Sequence, residues 1–448
     1  MTAGLLVPQR GGPGPWAWRL PGLGGALAWL QQLGLGPGDR LTVTAPTSPA
    51  LVALLQAAAV AGIELVLTHA RLPPALSAQQ AAAARGRLAP ALPSAFPEGP
   101  CPTNIRPGGA LLLHTSGTTG PARRVRLPWD RVHAACAAAA AHLKMQERET
   151  WLACLPLDHA GGAALVLRAA CAGTPMLLRE RFTLEDVYLP WVQAASLVPT
   201  LLHRLVAAQR PLPQRPRFII GGAPLDNMLR RAASALGARV RTTYGLTETC
   251  AMVACQTAEN DRENSSENSS ENCGPLIPGW ELRLDQPDSL GRGRIQLRGP
   301  GRCAGYDADA STDASADASA DASASVDPQS WLHTGDWGRM DAGQIQVLGR
   351  ADEVIISGGE KIAPSVVEAI LLRHPAVRDV AVIGEPDAEW GQRVVAIAVA
   401  AEATPALESE LTAWCRDSLA PHQVPRAWRW VTSLPRNDLG KLQRQHLR

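Results

Sequence analysis

Apolar residues in this chain fall into short blocks separated by turn residues, and the spacing within the blocks switches between strand and helix periods. Residues 40–45 and 64–68 read as strands around an Ala/Leu-rich helix over about 50–61, announced by Pro46-Thr47-Ser48-Pro49. A strand, helix, strand order with short turns is the signature of an α/β fold. Upstream, residues 16–40 hold a helical pattern that ends in glycines and Pro37. The Ala-rich run 74–85 predicts another helix, and 90–107, with six prolines, a connector. Farther on the pattern predicts strands over 110–113, 151–155, 217–220, 240–243 and 293–297, and a strand that runs into a helix start over 195–200. Helices are expected over 130–144 and after Gly161-Gly162, the second containing Arg168. Residues 353–448 form a self-contained block: a strand, the Gly358-Gly359 turn, a helix over 364–372, strands over 377–383 and 394–400, and a helix over about 407–419. That size and pattern suit a small α+β domain.

Two segments break the pattern. Residues 259–272 (ENDRENSSENSSEN) contain no apolar residue, and 307–327 repeat Asp-Ala-Ser without a basic one. Neither can offset its ordering entropy by burial, so both are expected to be disordered surface inserts between core elements. The repeat lacks the glycine and closing glutamate of a calcium loop.

Composition adds limits rather than chemistry. A 448-residue chain that is 46% hydrophobic supports a real core in one large domain plus a smaller one, or in three average ones. Its net charge of +2 gives no pointer to nucleic acid or to a membrane surface. The nine cysteines include no C-x-x-C pair, so neither a zinc site nor a disulfide framework is indicated, and a reducing cytoplasm fits. No basic stretch leads into an apolar one at the N-terminus and no apolar run reaches 18 residues, so the sequence reads as a soluble protein without an integral membrane segment. The oligomeric state, monomer or homo-oligomer, stays open.

The chemistry sits in six places. After the apolar run 110–113 comes HTSGTTGPARRV, residues 114–125. Gly117 and Gly120 permit unusual dihedrals, Ser116, Thr118 and Thr119 add hydroxyl donors, and Arg123 with Arg124 brings positive charge, so a polyphosphate is the natural guest. The spacing is not that of the G-x-x-x-x-G-K-[ST] phosphate loop. Next, WLACLPLDHAGG places His159 before a helix in which Arg168 interrupts an apolar stretch. Taken alone, His159 is most simply a packing residue. Arg168 either snorkels or answers an anion, and an aromatic dicarboxylate substrate would supply one. Then follow Gly221-Gly222-Ala223-Pro224, TTYGLTETC over 242–250, Thr334-Gly335-Asp336 with Gly349-Arg350 flanking a hairpin, and PRNDLGKL over 435–442.

The motif TSGTTG, from Thr115 to Gly120, together with TTYGLTETC and the lysine near the C-terminus, resembles the adenylate-forming superfamily of acyl-CoA synthetases, luciferases and peptide-synthetase adenylation domains. After the glycines that family usually continues with a variable residue and Pro-Lys-Gly; here Pro121-Ala122-Arg123-Arg124 puts arginine where it has lysine. The resemblance covers residue 36 to the end. It implies a large N-terminal α/β domain over 1–350, built of mixed sheets with packed helices in two similar layered subdomains and a small β-subdomain. A small mobile α+β lid follows over 351–448, with its hinge near Asp352 and with Gly358 and Gly359 on the side of coenzyme A.

The same resemblance implies ATP, Mg²⁺ and coenzyme A as reactants and a small-molecule acid as substrate. Residues Thr115 to Gly120 would hold phosphates, Gly221, Gly222 and Ala223 would back the adenine and acyl pocket, and Tyr244, beside Gly245, would stack on adenine. Thr247 would touch the α-phosphate and Glu248 the metal. Asp336 would grip the ribose hydroxyls with help from Arg350, His159 and Arg168 would line the acyl pocket, and Lys441 would swing in for adenylation. Within the superfamily the chain is most similar to the subfamily of 2-succinylbenzoate-CoA ligases of menaquinone and phylloquinone synthesis. A general aromatic or short-chain acyl-CoA synthetase is the alternative. The HAGG run departs from the His-x-Ser-Gly often seen in that subfamily, at the place of its hydroxyl contact.

Overall fold

The computed structural model describes residues 4–10, 18–68, 86–101, 108–115, 123–225, 227–257, 272–307, 327, 329–402, 404–436 and 442–447. The expected helix over 74–85, the low-complexity stretches 259–271 and 308–326, the loop residues Ser116 to Gly120, and Lys441 lie outside them.

The predicted strand, helix, strand unit is present with its boundaries nearly unchanged. Strands Arg40–Thr44 and Glu64–Thr68 pair in parallel, joined by the helix Pro49–Ala61. That helix starts with a proline in its first turn and Ser48 Oγ accepting from Leu51 N–H at 3.2 Å, and it ends at Gly62, whose φ of +71° favours glycine. Its residues 50–60 are buried, as expected of a helix with no polar face. The unit belongs to a six-stranded sheet ordered 306–307, 124–128, 110–114, 64–68, 40–44, 87–88.

A second, seven-stranded sheet runs 4–6, 176–178, 150–153, 192–197, 217–220, 239–244, 254–255, and its five central strands are parallel. Side chains alternate across it. Trp151, Ala194 and Ile219 face a core shared with the helices Pro49–Ala61, Trp129–His142 and Ala160–Ala172 and with the first sheet. Leu152, Ala195 and Phe218 face the helices Pro199–Ala207 and Asn227–Ala235. Such two-sided burial is what a parallel sheet demands. An antiparallel five-stranded sheet over 272–350 follows. A last sheet, 360–362, 355–357, 391–400, 377–387 with 427–430 beside 391–400, has its own core with the helices Pro364–Leu371 and Pro405–Ser418.

Several boundaries differ from the sequence reading. The helix expected within 16–40 spans only Leu23–Gln32, because Gly22 at φ +80° turns the chain there and Trp18–Arg19 pairs as a strand with Gln9–Arg10. The strand expected over 151–155 is Thr150–Ala153 and gives way before Pro156, which has no N–H to donate. Asn272, placed at the end of an insert, opens the strand Asn272–Pro275. Asp307, placed at the start of the other insert, is also ordered. It closes the strand Tyr306–Asp307, and its carboxylate takes ion pairs from Arg40 at 2.9 Å and Arg124 at 3.0 Å.

Candidate active site

The candidate residues gather where parallel strands end. His159 follows the strand Thr150–Ala153, Gly221-Gly222 follows Arg217–Ile220, and Gly245 to Glu248 follow Arg239–Tyr244, all at carboxyl ends in one sheet. Thr115 follows the strand Ala110–His114 of the other sheet. Loops at the carboxyl ends of parallel strands are where α/β folds place ligands.

The segment 244–250 is the hub, because two groups of candidates bond to it and a third, Arg168, lies near its end. Its first residue, Tyr244, has a buried ring whose hydroxyl donates to Asp336 Oδ2 at 2.6 Å. Burial and the Asp336 charge push that phenol well above its usual range, so it stays a donor. Arg350 Nη1 reaches Asp336 Oδ1 at 3.5 Å and donates to the carbonyl of Thr334 at 3.1 Å, while its Nε meets Asp352 Oδ1 at 3.2 Å. Tyr244, Asp336 and Arg350 therefore form one connected unit with Asp352 at its edge. An ionised carboxylate offers about four lone-pair sites, so it can take several donors at once. Gly335, at φ +73°, lies so close that a Cβ there would fall 2.7 Å from Arg350 Nη2.

At the middle of the hub, Thr247–Thr249 is a short 3₁₀ turn tied by Thr249 Oγ1, which accepts from Leu246 N–H at 2.9 Å. Glu248 Oε1 accepts from the hydroxyl of Tyr306 at 2.9 Å. The ring of Tyr306 in turn lies 5.6 Å from the guanidinium of Arg123. Thr115 and Arg123 close the neck of the phosphate-loop segment: Thr115 N–H donates to the Arg123 carbonyl at 2.8 Å, and Arg123 N–H to Thr115 Oγ1 at 3.3 Å. The structure thus brings the flank of that loop to Glu248. Sequence reasoning treated Arg123 and Arg124 alike, and this needs correction. Arg124 is 1% exposed and its charge is matched by Asp307, whereas Arg123 is exposed beside the loop.

The turn is conformationally costly. Cys250 and Ala251 take φ of +54° and +79°, a region that residues with a Cβ seldom occupy. Gly245 makes room for them: a Cβ at 245 would lie 1.4 Å from the Ala251 carbonyl oxygen. Gly245→Ala is therefore expected to lower Tm by roughly 5 °C or more, since the backbone has to yield. Thermal unfolding checks this, and an unchanged Tm would contradict the geometry. Gly222, at φ +82°, turns the neighbouring strand end, and a Cβ at Gly221 would press on Thr243 Cγ2 at 2.8 Å. Ala223 follows in the same turn.

At its far end the hub comes near Arg168 through Cys250. His159 caps the helix Ala160–Ala172 through its backbone, and Gly162 fits only without a side chain, since a Cβ would sit 2.1 Å from the Pro156 carbonyl oxygen. Half-buried His159 stands at the mouth of this helix, while Arg168, two turns in, is 2% exposed. Around Arg168 lie the thiols of Cys136, Cys250, Cys255 and Cys171. Burial pushes Cys255 and Cys171 up to about 12, and Cys136 is raised by its hydrogen bond with Cys250 and by burial, so Cys136, Cys171 and Cys255 stay neutral. Among the described residues no carboxylate pairs with Arg168, and its Nε has no hydrogen-bond partner. Burial lowers its pKa, yet a guanidinium remains charged at neutral pH.

The C-terminal lysine lies outside the described residues, but its anchorage does not. Leu442 bridges to Arg436, and Arg444 pairs with Glu353 at 3.0 Å and with Glu368 at 2.8 Å. Gly358 and Gly359, at φ +60° and +84°, turn a hairpin whose Lys361 lies 4.7 Å from the ring of Trp337. Sequence reasoning missed Tyr306; the available signal was an isolated tyrosine, one of three in the chain, just ahead of a low-complexity run.

Two family models match the chain. The AMP-binding enzyme model matches residues 90–307, and the AMP-binding enzyme C-terminal domain matches 366–441. A 2-succinylbenzoate--CoA ligase of Bacillus velezensis is 32% identical over 352 residues, covering 75% of this chain and 68% of its own length. The chain belongs to the AMP-binding enzyme family. It is an adenylate-forming acid–thiol ligase. A 2-succinylbenzoate--CoA ligase of Bacillus licheniformis is 32% identical over 350 residues, with 75% of this chain and 69% of its own length covered. Among solved structures, the o-succinylbenzoate CoA synthetase MenE of Bacillus subtilis with its acyl-adenylate OSB-AMP superposes at a TM-score of 0.77 and 25% identity, covering 95% of this chain and 91% of that one. ATP-bound MatB of Rhodopseudomonas palustris shares the fold at a TM-score of 0.77 and 23% identity, with 95% and 91% covered. Among the described residues, no helix of this adenylate-forming enzyme is long and apolar enough to cross a membrane.

Proposed function

We propose that the chain is an ATP-dependent 2-succinylbenzoate-CoA ligase of menaquinone or phylloquinone synthesis. The observation that carries the choice of acid is Arg168, a cation buried beside thiols and, among the described residues, with no carboxylate of its own. A charge in such a place is costly unless a ligand answers it. 2-Succinylbenzoate brings two carboxylates, and the one on the ring is the counter-ion for Arg168. The other, at the end of the succinyl arm, attacks the α-phosphorus of ATP as the bond to diphosphate breaks. The thiol of coenzyme A then attacks the acyl carbon and AMP leaves. Two steps with good leaving groups replace one that lacks any, and positioning does the rest.

In this reading the six-residue run Thr115 to Gly120 holds the β- and γ-phosphates. Gly221, Gly222 and Ala223 flank the flat adenine that Tyr244 stacks on, with Gly245 allowing the close turn behind it. Asp336 and Arg350 take the ribose, and Thr247 the α-phosphate. Glu248 fits Mg²⁺: it is half-buried and linked through Tyr306 to Arg123 at the flank of the phosphate loop, with one oxygen engaged by Tyr306 and the other without a protein partner among the described residues. Mg²⁺ typically accepts such a single carboxylate together with phosphate oxygens, and it supplies neutralisation of the polyphosphate charge. His159 lines the acyl pocket. Residues 351–448 act as a lid that turns about Asp352, bringing Lys441 to the reacting carboxylate for adenylation and the Gly358-Gly359 hairpin to coenzyme A for the second step. Nine free cysteines favour a reducing, cytoplasmic setting.

An acid panel tests the proposal. With ATP, Mg²⁺ and coenzyme A, mass spectrometry of the products should find the thioester of 2-succinylbenzoate as the dominant one. A dominant thioester of benzoate, acetate or a plain aroyl acid would replace this reading with a general acyl-CoA synthetase.

A further inference from the structure

We propose that Tyr306 is a positioning residue for Glu248, and that the two-residue strand Tyr306–Asp307 ties the phosphate-loop flank to that carboxylate. The inference rests on the reading that Glu248 serves the metal.

Four contacts of this strand and the residues leading into it point the same way. Tyr306 Oη donates to Glu248 Oε1 at 2.9 Å, fixing one oxygen and the tilt of the carboxylate. Just upstream, Cys303 N–H donates to the Glu248 carbonyl at 2.8 Å, so the residue is held at backbone and side chain by one segment. On the other edge Tyr306 pairs with Val125 and Asp307 with Arg124, antiparallel to the strand that returns from the phosphate loop. Asp307 then locks this edge through ion pairs with Arg124 at 3.0 Å and Arg40 at 2.9 Å, the first with a guanidinium only 1% exposed.

The physical consequence is a shared frame. A carboxylate on a short 3₁₀ turn would otherwise sample several rotamers, and one that is to hold a metal would need to be kept in one. A phenol is a suitable holder, because it donates a single hydrogen bond without adding charge and keeps its proton at neutral pH. The cation of Arg123, which follows the phosphate-loop segment in sequence, lies 5.6 Å from the same ring. Tyr306 thus stands between the residue that takes the metal and the charge that flanks the polyphosphate, in contact with both.

The test is a Mg²⁺ titration of the full chain at saturating ATP and acid, comparing wild type with Tyr306→Phe, Glu248→Gln and the double variant. Tyr306→Phe should raise the half-saturating Mg²⁺ concentration by about 10-fold while the KM of the acid stays within about twofold, the scale of one lost hydrogen bond to a charged group. A second readout is the additional rise in Tm that Mg²⁺ gives to the ATP-bound protein, which should shrink in Tyr306→Phe and need no turnover. In the Glu248→Gln background, Tyr306→Phe should add nothing further. An unchanged Mg²⁺ dependence in Tyr306→Phe, or an equal rise in the KM of the acid, overturns the proposal. If Glu248→Gln itself leaves the Mg²⁺ dependence unchanged, the assignment of Glu248 fails, and that outcome is visible separately.

Discussion

Arg168→Met is expected to cut kcat/KM for 2-succinylbenzoate by about 10²-fold, chiefly by raising KM, while leaving the KM for ATP nearly unchanged. The asymmetry follows from placement. Arg168 lies two turns inside the helix Ala160–Ala172 beside Cys136 and Cys250, whereas the proposed nucleotide contacts come from Tyr244, Asp336 and Arg350. Truncating the cation leaves the ring carboxylate buried without a partner, and the penalty falls on this acid alone. The variant should also discriminate less against the analogue that lacks the ring carboxylate. A further sign separates ligand binding from a structural role. Replacing a buried, unpaired charge by an apolar side chain of similar length removes a desolvation cost, so the ligand-free variant should melt at or above the wild-type temperature. A lower Tm, with both acids affected equally, would mean that Arg168 serves the core and not the substrate.

Lys441→Ala is expected to reduce acyl-AMP formation by roughly 10²-fold or more, the scale of a lost transition-state contact. The second half-reaction, from supplied acyl-AMP and coenzyme A, should survive, because in the proposed scheme the lid has then turned and taken the lysine with it. The anchorage supports a shared movement of the loop with the lid: Arg444 is bound by Glu353, next to the proposed hinge, and by Glu368 in the helix Pro364–Leu371. Single-turnover assays of each half-reaction decide the matter. Equal loss in both halves would remove Lys441 from the adenylation step.

Much of this arrangement was legible in the sequence because local signals and tertiary structure agree there. The strands Glu64–Thr68 and Arg217–Ile220 appear where continuous apolar runs placed them, since a strand buried on both faces has little freedom in where it starts and stops. The turn after Tyr244 was legible as a motif, but the reason for its glycine was not: it depends on the Ala251 carbonyl folding back to within 1.4 Å of where a Cβ would stand. Charge was the least legible feature. Arg123 and Arg124 are neighbours in sequence, yet one is exposed beside the loop and the other is paired with Asp307, 183 residues away. Asp307 was read as the first residue of an acidic repeat because composition cannot reveal a partner on a distant strand. Tyr306 was passed over for the same reason, its role being set by Glu248, 58 residues earlier.

The most direct measurement of the central claim is acid-dependent exchange of labelled diphosphate into ATP without coenzyme A. An adenylate-forming ligase built around Arg168 should show Mg²⁺-dependent exchange with 2-succinylbenzoate, and at least about 10²-fold less with the same molecule lacking its ring carboxylate. Exchange that is equal for the two acids, or absent with 2-succinylbenzoate and present with a simple monoacid, would contradict the account.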